Sequence, residues 1–205
     1  MKKTGIFGGS FDPVHNGHIL ALMTFFQRAE LDRVIIMPTG TAPHKEMSRL
    51  TTEQNRLEMA VLAVDGLDWA EVSNYEIRKK SRSYTIDTLK YLKNEYKNDE
   101  FYLYTGSDMF LTLHQWFRAD EIMKTVVIVV MSRVGDDLEQ LLSQRKFLEK
   151  TFKAKIILIE DFKPINISST KIRELIANND GFEEFIPEKV CEYIKNNNLY
   201  IRKTE

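Results

Sequence analysis

Six short apolar runs, set between longer amphipathic stretches, restrict what this chain can become. The runs are Thr4–Phe7, Arg33–Met37, Ala70–Tyr75, Phe101–Tyr104, Val126–Met131 and Lys155–Ile159. They are rich in Val, Ile, Phe and Tyr and show no strict polar alternation. A strand with one wet face alternates, whereas a strand covered on both faces does not. Such runs therefore predict a largely parallel sheet with helices on either side. The stretches between them supply those helices. Asn16–Glu30 opens just after a glycine-rich turn. Thr51–Val64 begins with Thr51 and Gln54 at capping-box spacing. Ser83–Tyr96 carries Ile86, Leu89 and Leu92 at helical spacing, and Asp137–Phe152 is a fourth. Strand–helix repetition of this kind reads as a doubly wound α/β sheet with right-handed crossovers. From Ser168 onward only helix is expected, over Ser168–Asn178 and Pro187–Asn197, with Pro187 as a first helical residue. No repeat or linker divides the chain, so residues 1–205 read as one domain whose part from about 168 to 205 is helical. The longest expected loop is Pro38–Leu50, and long loops in compact domains are often functional.

Charge narrows the class of partner. Lys plus Arg number 29 and Asp plus Glu 30, for a net charge of -1 over 205 residues. Binding to a polyanion needs clustered excess cations, so nucleic acid is not an expected partner, while a small phosphate-bearing ligand needs only a few. The basic run Arg78–Arg82 reads as a solvated loop. The single cysteine, Cys191, excludes an intramolecular disulfide framework and any zinc site of several thiolates. Cys191 falls on a helix face with no chemistry attached. The longest apolar run, Val126–Met131, is strand-sized, so no membrane partner is expected. The first residues are too glycine-rich for a signal-peptide core. A cytoplasmic protein acting on a small molecule is the expectation, with homo-oligomer formation left open.

The chemistry concentrates after the first strand, in Gly8-Gly9-Ser10-Phe11-Asp12-Pro13-Val14-His15-Asn16-Gly17-His18. Glycines between a strand and a helix sit at the carboxyl edge of an open α/β sheet, where ligands bind and helix amides favour anions. His15 and His18 stand three apart at the start of the helix, which puts both imidazoles on one face. They would aim two donors at whatever the glycines cradle. The pair could alternatively hold a metal such as zinc, with Asp12 or His44 as a third ligand. A second segment, Ile167-Ser168-Ser169-Thr170-Lys171-Ile172-Arg173, offers a hydroxyl-capped helix start and, about a turn on, a guanidinium able to grip phosphate.

The first segment resembles the signature of the nucleotidyltransferase superfamily with the HxGH motif, and the second resembles that superfamily's other signature. The resemblance implies a Rossmann-like fold and attack of a nucleophile on the α-phosphorus of a nucleoside triphosphate. Further segments resemble bacterial nicotinate mononucleotide adenylyltransferases. They are Pro38–Lys45 with His44 and Lys45, where Ala42 stands in place of a proline; Ser83-Tyr84-Thr85; and Gly106-Ser107-Asp108 followed by Trp116. Phe117 stands where the family often has Tyr. Arg133 and the ending Ile186-Pro187, Val190, Tyr193-Ile194 and Leu199-Tyr200 are similar as well.

That family resemblance implies a division of labour. ATP would be held by Gly8, Gly9, Ser10, Phe11, His15, His18, Gly106, Asp108, Ile167, Ser168, Ser169, Thr170 and Arg173. Nicotinate mononucleotide would be held by Asp12, His44, Lys45, Thr85, Trp116, Phe117 and Arg133. Trp116 offers a flat face for the pyridine ring, although burial in the core is an equal reading. Backbone amides near Thr85 and after Trp116 would meet the nicotinate carboxylate, Arg133 the mononucleotide phosphate and Asp108 ribose hydroxyls. His15, His18, Lys45 and Arg173 would be catalytic, with His18 mattering more at the α-phosphate and Lys45 and Arg173 neutralising the β and γ phosphates. Mg²⁺ would be bound mainly through ATP phosphates, with no protein metal site. The product would be deamido-NAD. Other adenylyl or cytidylyl transferases, a non-catalytic nucleotide sensor and a metal-binding structural protein are the competing readings.

Overall fold

The computed structural model describes residues 1–40, 51–79, 82–133 and 135–201. Six strands form one sheet in which every pairing is parallel: β1 (Lys3–Gly9), β2 (Arg33–Pro38), β3 (Ala70–Val72), β4 (Glu100–Gly106), β5 (Val127–Arg133) and β6 (Lys155–Phe162). Their order is β3-β2-β1-β4-β5-β6. The chain therefore winds outward from β1 in one direction and, from β4, in the other. This is the doubly wound α/β arrangement expected, and its switch point lies between β1 and β4. Ligands in such sheets bind outside the carboxyl ends of the strands at that crevice.

Successive strand residues face opposite layers, which explains the absence of polar alternation. Phe7, Ile36 and Val129 pack in one layer with α1 (Asn16–Arg28), α2 (Glu53–Ala63), α8 (Ser169–Ala177) and α9 (Glu188–Asn196). Ile6, Ile35 and Ile128 pack in the other with α4 (Thr85–Glu95), α5 (Ser107–Leu111), α6 (Ala119–Thr125) and α7 (Leu138–Phe152). Both faces are dry, as a run without polar positions requires.

The differences from expectation have local causes. The run Ala70–Tyr75 yields only three strand residues, because β3 is an edge strand paired with β2 alone. Tyr75 instead opens the short helix α3 (Tyr75–Arg78) and stacks on Tyr91 with ring centroids 3.9 Å apart. The cap of α2 is Thr52, whose hydroxyl accepts from the Asn55 amide, rather than Thr51. The Thr51 amide is engaged by the Asp12 carboxylate 3.2 Å away. Pro187 is the cap of α9, not its first helical residue, because its ψ of 140° is extended. The short helices α5 and α6 have too few turns to leave a readable period. A 3₁₀ turn, Glu183–Phe185, interrupts the expected purely helical ending.

Candidate active site

The glycine pair is the end of β1 itself. Gly8 is exposed, and a Cβ there would meet nothing closer than the Met37 carbonyl at 4.0 Å, so the strand end opens outward. At Gly9 a Cβ would lie 2.7 Å from the Phe11 ring, so only glycine lets Phe11 fold back beneath the strand. Phe11 is buried at a φ of 50°, a conformation non-glycine residues seldom adopt. Its ring lies edge-on to the His18 imidazole, with centroids 5.3 Å apart. The cis Asp12-Pro13 bond follows, and the chain enters α1.

The two histidines cap α1 reciprocally. His15 is the N-cap, and its Nδ1 accepts from the His18 amide at 3.3 Å, while His18 Nδ1 accepts from the His15 amide at 3.2 Å. The rings stack with centroids 3.7 Å apart. An imidazole nitrogen that accepts cannot carry the proton, so on each ring the donor is Nε2. Burial drives the His15 imidazole down to about 4, so it is a neutral donor at physiological pH. The spacing read as one helical face is thus a capping box that also sets both tautomers. Using both Nδ1 atoms in this way leaves little of the pair for a metal. No cluster of three or more His, Cys, Asp or Glu able to hold a metal ion occurs among the described residues.

The distant second segment arrives at the same place. Ser168 caps α8 by accepting from the Lys171 amide at 3.2 Å. Ser169 Oγ donates to the Pro13 carbonyl at 2.9 Å, although 156 residues separate them. Arg173 Nη1 donates to the Asp12 carbonyl at 2.6 Å, and its Nη2 donates to Thr170 Oγ1 at 3.2 Å. A Cβ on Gly17 would stand 3.5 Å from Ile167 Cγ2, so α1 and the approach to α8 touch. Two helix N-termini and a partly exposed guanidinium therefore flank the end of β1, a ready anion site.

Beneath that surface lies a polar layer that sequence reading left largely unnoticed. Asp12 is 1% exposed, and its Oδ1 accepts from Tyr200 Oη at 2.8 Å as well as from the Thr51 amide. Arg56 is wholly buried and donates from Nη1 to the Ser10 carbonyl at 2.8 Å. A signal for Arg56 existed, since it shares a helical face with the buried Met59 and Ala60. Asp12, expected against the mononucleotide, points its carboxylate inward.

The other elements at this edge carry Gly106 and Asp108, expected to meet ATP, and the segments expected to meet the mononucleotide. Gly106 ends β4 and caps α5, and Asp108 is exposed in the first turn of α5. Thr85 begins α4, and Tyr84, its cap, brings its ring to 4.8 Å from that of Phe117. Phe117 is 56% exposed, while Trp116 is half-buried against the second layer. Trp116 is thus partly a packing residue with part of its surface open, between the two readings given above. Glu76, buried, accepts from Thr88 Oγ1 at 2.6 Å and from the Gly40 amide, tying the start of the expected loop to α4. Burial pushes its carboxyl upward. His44 and Lys45 lie outside the described residues, and so does the side chain of Arg133, whose backbone ends β5.

Comparison with known proteins identifies the family. The cytidylyltransferase-like family model matches residues 6–175. A protein of Clostridium tetani, named a probable nicotinate-nucleotide adenylyltransferase, is 38% identical over 98% of this chain and 100% of its own. A protein of the same name from Carboxydothermus hydrogenoformans is 40% identical over 97% of this chain and 98% of its own. The structure of Plasmodium falciparum nicotinic acid mononucleotide adenylyltransferase complexed with NaAD superposes with a TM-score of 0.78 at 22% identity, covering 98% of both chains. That likeness establishes the fold. The full-length identity to the bacterial relatives establishes more: this chain belongs to the nicotinate-nucleotide adenylyltransferases, within the cytidylyltransferase-like family.

Proposed function

We propose that the chain transfers the adenylyl group of ATP to nicotinate mononucleotide, yielding deamido-NAD and pyrophosphate. The observation that carries this reading is the meeting of the His15–His18 cap with Ser169 and Arg173 at the end of β1. Those groups bring two imidazole donors, a helix N-terminus and a guanidinium to one strand end, and a triphosphate is a ligand that suits this set.

In this reading a phosphate oxygen of the mononucleotide forms a bond to the α-phosphorus. The bond from that phosphorus to the bridging oxygen breaks, and its electron pair leaves on pyrophosphate. The nucleophile is already an anion at neutral pH, so no general base and no covalent intermediate on the protein are needed. Rate then comes from holding two anions together and from stabilising charge as it moves to the leaving group. His18 Nε2–H, beside Phe11, is the donor proposed for the α-phosphate, with His15 beside it. The N-terminus of α8 and Arg173 take the outer phosphates, and Lys45 joins them. The nicotinate side is proposed at Thr85, Trp116 and Phe117, with His44 and Arg133, and the ribose at Asp108. Mg²⁺ fits as an ion carried by phosphate oxygens and water. With the Asp12 carboxylate turned inward, the described residues offer it no cage of their own. When bound, it would neutralise phosphate charge.

The test is purified protein with ATP and Mg²⁺, offered in turn nicotinate mononucleotide, nicotinamide mononucleotide and phosphopantetheine. Pyrophosphate release and product mass are read together. The expected result is release with nicotinate mononucleotide far above the others. Preference for another acceptor would reassign the substrate, and no release with any of them would remove the transferase reading.

A further inference from the structure

The polar layer under the site contains one carboxylate and two guanidiniums. Asp12 is 1% exposed and Arg56 is wholly buried, whereas Arg173 keeps a quarter of its side chain open. The Asp12 and Arg56 charges attract one another, which offsets part of the desolvation that pulls the Arg56 guanidinium down. Arg173 Nη1 stands 3.7 Å from Asp12 Oδ2, too far for a hydrogen bond. Oδ2 accepts no hydrogen bond from the described residues, so it is a buried acceptor waiting beside the cation. The two already stand in ion-pair contact, and a turn of the Asp12 side chain would shorten that contact to a charged hydrogen bond. That bond would commit the guanidinium donors to the carboxylate and turn them away from a triphosphate.

Two side chains oppose that turn, beside the Thr51 amide that also holds Oδ1. Tyr200 Oη holds Asp12 Oδ1 at 2.8 Å, whereas the oxygen nearest Arg173 is Oδ2. Burial and the neighbouring carboxylate push the Tyr200 phenol strongly upward, so it remains a donor. Arg56 balances the Asp12 charge from inside and at the same time holds the Ser10 carbonyl of the glycine-rich turn. Tyr200 reaches this place with a φ of 65°, unusual for a residue with a Cβ, and the contact it makes there is the one that holds Asp12.

We infer that Tyr200 and Arg56 are positioning residues for the transfer: they keep the Asp12 carboxylate from closing a hydrogen bond on Arg173, so that the donors of the Arg173 guanidinium stay available to the phosphates of the nucleotide. This rests on the adenylyl-transfer reading above. It makes the segment after α9 part of the working site.

The test is steady-state kinetics of Tyr200→Phe, which keeps the ring and removes the hydroxyl. The KM for ATP should rise about tenfold, the scale of one hydrogen bond to a charged group. The KM for the mononucleotide should change by less than about twofold. In an Asp12→Asn background, Tyr200→Phe should add nothing further, because the charge to be restrained is gone. Arg56→Met should also raise the KM for ATP, and Arg56→Lys should restore most of it by restoring the charge. Equal rises in both KM values, no rise in either, or full additivity with Asp12→Asn would overturn the inference. If Tyr200→Phe fails to fold, the Arg56 pair decides alone: equal KM values for ATP in the Met and Lys variants would overturn it. Absence of turnover in the wild-type protein would instead sink the reading on which it rests.

Discussion

The two ends of β1 each carry a polar cluster, and the clusters are built to opposite specifications. At the amino end, Thr4 is fully buried and donates to Asp99 Oδ2 at 2.6 Å. Arg33 donates to Thr4 Oγ1 at 3.0 Å and to Asp99 at 2.5 Å, and its guanidinium lies 3.9 Å from the centre of the Tyr96 ring. Tyr96 in turn donates to Glu71 at 2.8 Å. Cation, anion, hydroxyl and ring answer one another within the cluster. At the carboxyl end, Asp12 Oδ2 and the Arg56 Nε and Nη2 atoms have no hydrogen-bond partner among the described residues. A buried polar atom left unpaired costs about 1–3 kcal/mol. A fold that closes one cluster and leaves the other with spare donors and acceptors is spending stability at the end where we propose the nucleotide binds. The lesson is that polarity alone does not mark a site in this sheet, whereas incomplete pairing does.

The sharpest way to break this contrast is His18→Ala. Turnover should fall about 10²-fold, the scale of losing one transition-state donor, while the thermal midpoint drops by only a few degrees, the scale of one lost cap contact. A stability collapse with proportionate loss of activity would make the carboxyl-end histidines structural after all. Next in size is Trp116→Ala. Removing the exposed part of the ring should raise the KM for the mononucleotide about fivefold, more than that for ATP. Equal changes would assign Trp116 to packing alone.

The amino-end cluster should answer in the opposite way. Asp99→Asn should lower the unfolding free energy in urea by about 2 kcal/mol, through loss of its charged hydrogen bonds, and leave both KM values unchanged. A kinetic effect would erase the distinction between the two ends.

The smallest effects are in pH. Burial opposes ionisation of Asp99, yet Thr4 and Arg33 hold its carboxyl below the usual range. Its contribution is therefore full above the ordinary aspartate value of about 4 and is lost as pH falls through the lower folded value. His15 works in a higher window. Its folded value of about 4 lies below the ordinary 6.5, so the unfolded chain binds the extra proton between them, and stability drops as pH falls from about 6.5 toward 4. The fall in thermal midpoint between pH 7 and pH 5 should be smaller in His15→Asn than in wild type. An identical fall would place the titrating group elsewhere.

Much of the fold was legible in the sequence because its strands are covered twice. Ile6-Phe7, Ile35-Ile36 and Ile128-Val129 serve opposite layers, and that demand is written as an unbroken apolar run. The edge strand was overestimated because Tyr75 is apolar for the sake of Tyr91, not of a strand neighbour. The two segments proposed to hold the triphosphate were legible because each is contiguous. Their contact through Ser169 with Pro13 and Arg173 with Asp12 spans the whole fold, and spacing within a segment cannot encode it. Arg56 and Tyr200 were hidden for the same reason. Each is one residue whose partner lies on another element, Ser10 for the one and Asp12 for the other.

The central claim is that the two imidazoles and the Arg173 guanidinium serve one triphosphate at the end of β1. A crystal structure with a non-hydrolysable ATP analogue tests it most directly. The account predicts phosphate density against Gly8 and Gly9, with His18 Nε2, the first turn of α8 and Arg173 all within hydrogen-bond reach of it. Density at another edge of the sheet, or a triphosphate touching the histidines while Arg173 closes on Asp12, would contradict it.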